Sequence, residues 1–407
     1  MNSIFSQLSL SRINSSPFFS FQNRKILIFK TIFVQKSFNS FFFSNYPSNQ
    51  HLIIDSRFKQ FLESTIRINS LEKQQEIFRI SGYQTKIEHN LTLYNCLFEA
   101  CSSISIGGAI QFLPSITLES KIICERCLFD LCSSGLHGGA VYCISSCYRF
   151  YKTCFIRCRS KNKQTLCSRG ESSSINSVNM SIFVQNGIGH NDMITMSQSS
   201  SIIGFFYNNI STNVVYSISS GAYLSSNFMC FFYYNHFENN EGTDCVNIHL
   251  RNHQSSIHHC NFVSNTKGKE WKALIFVSSV SKISNSVFIL NSAPILFVED
   301  NNGSFIISLC SFDCDNEGLW NGNIIVEECQ FKDPIISPIA ISSMKSDICI
   351  NVFITGTHSL SSPVSPWGMI VILVAIVIVF IRMFSAPKYK VSDDERVVLM
   401  KNKWRDP

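Results

Sequence analysis

Cys245, His249, His253, His258, His259 and Cys260 form the densest group of metal-ligand residue types in this 407-residue chain. A structural zinc site takes about four converging thiolates or imidazoles. On a helix, Cys245, His249 and His253 would share one face. No Cys-x-x-Cys pair stands near them, and Cys124-x-x-Cys127 is remote. Asp313-Cys314-Asp315-Asn316-Glu317-Gly318 opens like a calcium loop, but Ile324 stands where the closing acid belongs. Glycan cleavage takes a facing pair of carboxylates, whereas Asp192, Asp244 and Asp300 are scattered. No phosphate loop, Gly-x-Ser-x-Gly elbow or nucleophilic triad is present. The expectation is a non-enzymatic chain with no cofactor and no metal, its histidines facing solvent.

The elements that position these residues are set by a repeat. Cys96-Leu97-Phe98-Glu99-Ala100-Cys101-Ser102-Ser103 recurs as Cys127-Leu128-Phe129-Asp130-Leu131-Cys132-Ser133-Ser134. At the same offset, Gly107-Gly108-Ala109-Ile110 recurs as Gly138-Gly139-Ala140-Val141. Weaker copies keep a small residue, a Phe two positions on, and Cys, Asn or Asp three positions after that. The Phe positions are Phe98, Phe129, Phe155, Phe183, Phe206, Phe232, Phe262, Phe288 and Phe312, with Phe331 as a last, imperfect copy. The small residues include Cys96, Cys127, Gly204, Cys230, Cys310 and Cys329, and the third position includes Asn186, Asn209, Asn235, Asn265 and Asn291.

Units this short hold no helix pair, and alternation around each Phe has the period of a strand. The expected fold is all-β: a parallel β-solenoid of about ten coils, roughly 50 Å long at ~4.8 Å per coil. Small residues and Phe rings form ladders on the inner face. Asn at the third position is expected at a left-handed corner, its amide bonding along the ladder. The Gly-Gly pairs make a second corner, where a side chain would clash.

The net charge of +6 is carried by the two ends. Residues 1–54 hold Arg12, Arg24, Lys25, Lys30 and Lys36 and no acid, and 382–407 are also basic. The body between has no basic field, which excludes nucleic-acid binding. Residues 359–381 carry no charge. That run of 23 residues is long enough to cross a bilayer, Trp367 begins its apolar last part, and Arg382, Lys388 and Lys390 place the C-terminus in the cytoplasm.

The expected organisation is a basic, Ser/Phe-rich targeting or poorly ordered segment (1–54), an N-terminal cap (55–89), a β-helix ectodomain (90–350), a stalk (351–366), one C-terminal transmembrane helix (367–383) and a cytoplasmic tail (384–407). The first segment suits an atypical signal, a transit peptide or a mis-called start.

Gly107–Ile110, Gly138–Val141 and the Phe-x-x-Asn sets at Phe183, Phe206, Phe232, Phe262 and Phe288 resemble the repeats of polymorphic outer-membrane proteins, the chlamydial autotransporter adhesins. Similar right-handed β-helix proteins with a single membrane helix occur on parasitic protists. The resemblance covers roughly 90–340 and implies a right-handed coil, surface display and adhesion. The chain departs from the bacterial form in having no C-terminal β-barrel segment.

Stacked coils bring Cys96 to Cys127 and Cys310 to Cys329 within disulfide reach, and buried free thiols serve the ladder equally well. Seventeen cysteines leave at least one unpaired or bridging between chains. Asn90, Asn179, Asn209 and Asn302 head glycosylation sequons in the expected ectodomain. In the tail, Glu395, Leu399 and Met400 are spaced like an acidic dileucine signal for a clathrin adaptor. The expected protein is a single-pass glycoprotein of the plasma membrane, adhering at the cell surface to a host or neighbouring-cell protein or glycan. The alternatives are a membrane-anchored glycan-active β-helix enzyme (lyase or hydrolase) and a structural coat protein.

Overall fold

The computed structural model describes residues 2–332, except 70–88, the shorter intervals 12–18, 21–25, 45–49, 115–119, 171–174, 188–193, 216–218 and 268–272, and a few runs of one to three residues; 333–407 also lie outside the described residues. The fold is a right-handed parallel β-solenoid. One sheet has 12 strands, one from each successive coil, from Ser9–Leu10 to Ser311–Phe312. The larger sheet has 23 strands and takes two from most coils. Its two files merge where Ile194–Phe206 and Ser219–Tyr233 run unbroken.

The coil containing Phe98 shows how sequence becomes shape. Leu93, Cys96, Phe98, Cys101 and Ser103 all point inward and are buried. Plain alternation does not give that order. Asn95 (φ 53°) and Ala100 (φ 51°) adopt the left-handed conformation, and each adds one extra outward residue at a corner. Backbone of that kind costs a non-glycine residue roughly 1–2 kcal/mol. The same two steps recur at Arg126 and Leu131, Lys152 and Arg157, and Tyr234 and Asn239. The strained residue is therefore the one before each inward corner residue. The expected left-handed Asn is instead the neighbour that compensates for it.

Phe98, Phe129, Phe155 and Phe183 pair in register and stack at 4.9, 5.0 and 4.7 Å between ring centroids. Phe237, Phe262, Phe288, Phe312 and Phe331 continue at 5.0, 4.8, 4.9 and 5.1 Å. Each stacked pair contributes about 0.5–1.5 kcal/mol beyond burial. Between the two runs the ladder position is Ile210, paired with Phe183 and Phe237. Phe206 and Phe232 are thus not ladder rings of this sheet. Phe232 is buried in the larger sheet against Phe205, and Phe206 points outward. Gly204 and Cys230 lose their ladder role with them. The small-residue file runs through Asn208 and Asn235, and the third-position file through Asn213 and Asn240.

Those asparagines complete the corners. Asn213 Nδ2 donates to Phe183 O at 3.0 Å, and its Oδ1 accepts from Asn186 N and Nδ2, both at 3.0 Å. Asn240, Asn265 and Asn291 repeat the arrangement, as do Asn208 and Asn235. Cysteines do the donor half of the same work. Cys132 Sγ donates to Phe98 O, Cys158 Sγ to Phe129 O and Cys260 Sγ to Phe232 O. The left-handed turn leaves a carbonyl facing inward, and a short side chain from the next coil satisfies it.

The glycine corner is as expected. Gly107 and Gly138 have φ of 62° and 64°. A Cβ on Gly108 would lie 2.0 Å from Gly139 O and 2.4 Å from Ser133 O. The N-terminal organisation differs. Strands Asn2–Ser6, Ile26–Lys30 and Gln50–Ile54 pair in parallel with one another and with His89–Tyr94, so described parts of 1–69 are solenoid coils. Leu27, Phe29, Phe41 and Phe42 fill their core, which accounts for the Phe-rich composition there. Among the described residues no helix is long and apolar enough to cross a membrane. The segment expected to do so, 367–383, lies outside them, as do the stalk and the tail.

Candidate functional site

Three consecutive coils place aromatic pairs at one corner: Phe206-Tyr207, Tyr233-Tyr234 and His258-His259. Each pair precedes an inward small residue, namely Asn208, Asn235 or Cys260. The first ring of each pair ends a strand of the larger sheet and faces outward. The second sits in the left-handed conformation, with φ of 56°, 59° and 52° at Tyr207, Tyr234 and His259, and projects from the turn.

The second rings form a flat column. Tyr207 and Tyr234 lie 4.9 Å apart with planes 3° from parallel, and Tyr234 and His259 lie 4.9 Å apart at 18°. The first rings pack more steeply: Phe206 to Tyr233 is 5.6 Å at 64°, and Tyr233 to His258 is 5.1 Å at 57°. Tyr207 is 48% exposed and the other five rings are partly exposed. His258 is fixed by Ser256 Oγ at 2.6 Å from Nε2 and by Ser284 Oγ on Nδ1. Burial, then His259 and Lys282, hold His258 below the usual imidazole pKa, so its ring is neutral at pH 7. The surface is a six-ring platform with apolar faces and polar edges. Exposed rings of this kind bind flat apolar faces while hydroxyl and imidazole edges take hydrogen bonds.

A second outward file lies on the larger sheet. His249 packs between Tyr223 (4.8 Å) and Phe276 (4.6 Å), with the Arg251 guanidinium 5.8 Å over Tyr223.

The histidines considered for zinc do not converge. His249 and His258 lie in different strands of the larger sheet, and Cys260 is buried in the core ladder. Among the described residues no group of three His, Cys, Asp or Glu could hold a metal ion. His253 lies outside them. Asp313 accepts from Leu290 N at 2.6 Å, and Asp315 pairs with Lys332 at 2.7 Å. The two carboxylates are thus engaged separately.

Cys96, Cys127, Cys310 and Cys329 are free thiols, so neither considered bridge is formed. Cys96 donates to Tyr94 O at 3.3 Å and Cys127 to Glu125 O at 3.4 Å. Burial pushes both well up in pKa. Cys329 differs: the Cys310 thiol donates to it and lowers it to about 7. Asn90, Asn179 and Asn209 lie in strands, half-buried, with their amide oxygens shielded from solvent, rather than in the exposed loops that suit a glycan. Asn302, Glu395, Leu399 and Met400 lie outside the described residues.

Tyr207, Tyr233 and Tyr234 were not candidates on the sequence. The signal that finds them is the five-residue step from Cys96 to Cys101 and from Cys127 to Cys132. It recurs from Asn208 to Asn213 and from Asn235 to Asn240, and it fixes the frame in which the aromatic pairs fall outside.

The chain matches no family model, no curated protein and no solved structure. The likeness to polymorphic outer-membrane repeats therefore rests on the Gly-Gly-Ala and Phe-x-x-Asn residues alone.

Proposed function

We propose that this chain is a recognition protein of the cell surface whose solenoid binds a glycan on the corner platform of Phe206, Tyr207, Tyr233, Tyr234, His258 and His259. The observation that carries the reading is the outward exposure of paired rings at one corner of three consecutive coils. A soluble exterior of this size rarely gathers rings without a partner to meet them. Sugar rings fit the chemistry: an apolar C–H face lies on the aromatic face, and ring hydroxyls meet the Tyr and His edges. The absence of a basic field argues against single-stranded nucleic acid, which exposed aromatic rings would also stack.

In this reading 367–383 anchor the chain in the plasma membrane, 384–407 lie in the cytoplasm, and the ligand belongs to a host or neighbouring cell. The resemblance to adhesin repeats and the apolar run that Arg382 follows support that placement. Glu395, Leu399 and Met400 would then offer an adaptor signal.

A glycan array probed with the intact protein tests the proposal, with Tyr234→Ala alongside. Binding of a defined glycan class that falls at least tenfold in the variant supports it. Absence of glycan binding, or binding indifferent to Tyr234, overturns it.

A further inference from the structure

The file of small inward residues holds two pairs of neighbouring cysteines, Cys96 with Cys127 and Cys310 with Cys329. The second pair is bracketed in register by Ser308 opposite Glu327 and Ser311 opposite Gln330. Facing residues on parallel neighbours lie about 4.8 Å apart, inside the roughly 4.4–6.8 Å between Cα atoms that a disulfide spans. Each thiol donates to the carbonyl two residues before it: Cys310 to Ser308 O at 3.3 Å, and Cys329 to Glu327 O at 3.4 Å. The same pose one coil apart stacks the sulfurs, and the Cys310 thiol also donates to Cys329.

The two pairs differ in access. Cys96, Cys127 and Cys310 are 0% exposed. Cys329 is half-buried, between the exposed Glu328 and Gln330. One sulfur of the second pair therefore meets solvent while its neighbour stays in the core. Such a pair can react in two steps: the outer sulfur meets the reagent, and the inner one completes the bond. The Cys310 thiol supports the first step, because it holds Cys329 at about 7. A thiol whose pKa lies near the ambient pH is the most effective attacker of a disulfide.

We infer that Cys329 and Cys310 are a redox-active dithiol, in which Cys329 takes a low-molecular-weight disulfide and Cys310 resolves the adduct. The Cys329 thiolate attacks one sulfur of the small disulfide, whose S–S bond breaks, and the other half leaves as a thiolate. The hydrogen bond to Cys329 is the chief cause that raises Cys310, and it ends at that point. Cys310 then loses its proton and attacks the Cys329 sulfur, and the second half of the reagent leaves as a thiol. The small disulfide has gained two electrons, and the chain holds a Cys310–Cys329 bond. That bond ties the coil of Ile324–Glu327 covalently to the coil of Ser304–Ser308, its hydrogen-bonded neighbour. The attachment of this coil thus follows the redox poise of the surroundings.

The full chain, reduced and then freed of reductant, is incubated with oxidised glutathione, alkylated and mapped without reduction. A linked Cys310–Cys329 peptide is expected, with Cys96 and Cys127 still thiols. Cys310→Ser is the companion variant. Serine already fills this file at Ser181 and Ser286, with the same bond to the carbonyl two residues back. The variant is expected to stop at a glutathione adduct on Cys329, formed at a rate that reaches half its plateau near pH 7. Cys329 left as a thiol in the intact chain, or bonded to another cysteine, overturns the inference. So does an intact chain that retains the adduct as the variant does, or Cys96 and Cys127 bonding as fast as the second pair.

Discussion

The rings of Tyr207 and Tyr234 lie 4.9 Å apart, 3° from parallel, on neighbouring turns that are both in the left-handed conformation. Their parallelism follows from the coil repeat, because the same backbone conformation one coil later presents the next side chain in the same direction. The platform is therefore stiff before any ligand arrives, and binding loses little side-chain entropy.

Removing the central ring should show this. Tyr234→Ala is expected to weaken glycan binding about tenfold or more, close to 1.4 kcal/mol. Tyr234 is partly exposed and its ring stacks on Tyr207 and His259, outside the Phe ladder, so the thermal midpoint should move little. Isothermal titration beside a circular-dichroism melt separates the two effects.

Acid should act on the same corner. His258 is held below the ordinary imidazole pKa of 6.5 by burial first, then by His259 and Lys282. The unfolded chain takes up that proton before the folded one does. Stability is then full above about pH 6.5 and falls as pH drops through the depressed folded value. His258→Gln is expected to flatten that decline in denaturation midpoints measured between pH 7 and 5. An unchanged slope would remove His258 as its source.

Asn213→Ala should cost far more than a surface change. It strips Phe183 O of its donor and leaves Asn186 N and Nδ2 without their shared acceptor, all buried. At about 1–3 kcal/mol for each buried group left unpaired, a loss of roughly 3 kcal/mol or more is expected from denaturant titration.

Two buried glycines differ in how closely backbone crowds them. Gly108→Ala would drive a Cβ to 2.0 Å from Gly139 O, between backbones that cannot yield. Gly303→Ala meets Val277 O only at 3.1 Å. The first is expected to prevent or severely impair folding, and the second to shift stability by about 1 kcal/mol or less. Comparable expression and melting of both variants would contradict the corner geometry.

Thiol reactivity should follow burial and hydrogen bonding. Cys329, lowered to about 7 by the Cys310 thiol, is half-buried. Its alkylation rate should rise with pH and reach half its plateau near pH 7, because the thiolate is the nucleophile. Cys127, fully buried and raised, should stay unlabelled in the folded protein. Iodoacetamide kinetics followed by peptide mass reads both.

The solenoid was legible because its ladders use few residue types at fixed offsets. Cys96-x-Phe98 and Cys127-x-Phe129 repeat nearly word for word, and the Gly-Gly pairs share their phase. The frame slipped where chemistry changed without changing shape. In the coil of Ile210 the ladder ring becomes aliphatic, and Phe206 four residues earlier offered a false match. One coil later Phe232 captured the frame from Phe237 in the same way. The left-handed corners carry almost no signature, since Ala100, Leu131, Arg157 and Tyr234 share no property. Their conformation is imposed by the inward neighbour and by the coil above. The N-terminal coils were hidden because Val34 and Leu10 stand where later coils have Phe. The outer platform had no local signal until the frame was right, because inside and outside exchange with a single-residue shift.

The stacked corner also works as a ruler. Rings recur once per coil along a straight edge, so the wall can count as well as touch. A chain ligand whose own units recur near that pitch meets Tyr207, Tyr234 and His259 in succession, and each contact raises the effective concentration for the next. A ligand of the same chemistry but another period would meet one ring and miss its neighbours. Selectivity of this kind belongs to the spacing of the coils, and it survives exchange of any one ring for another aromatic.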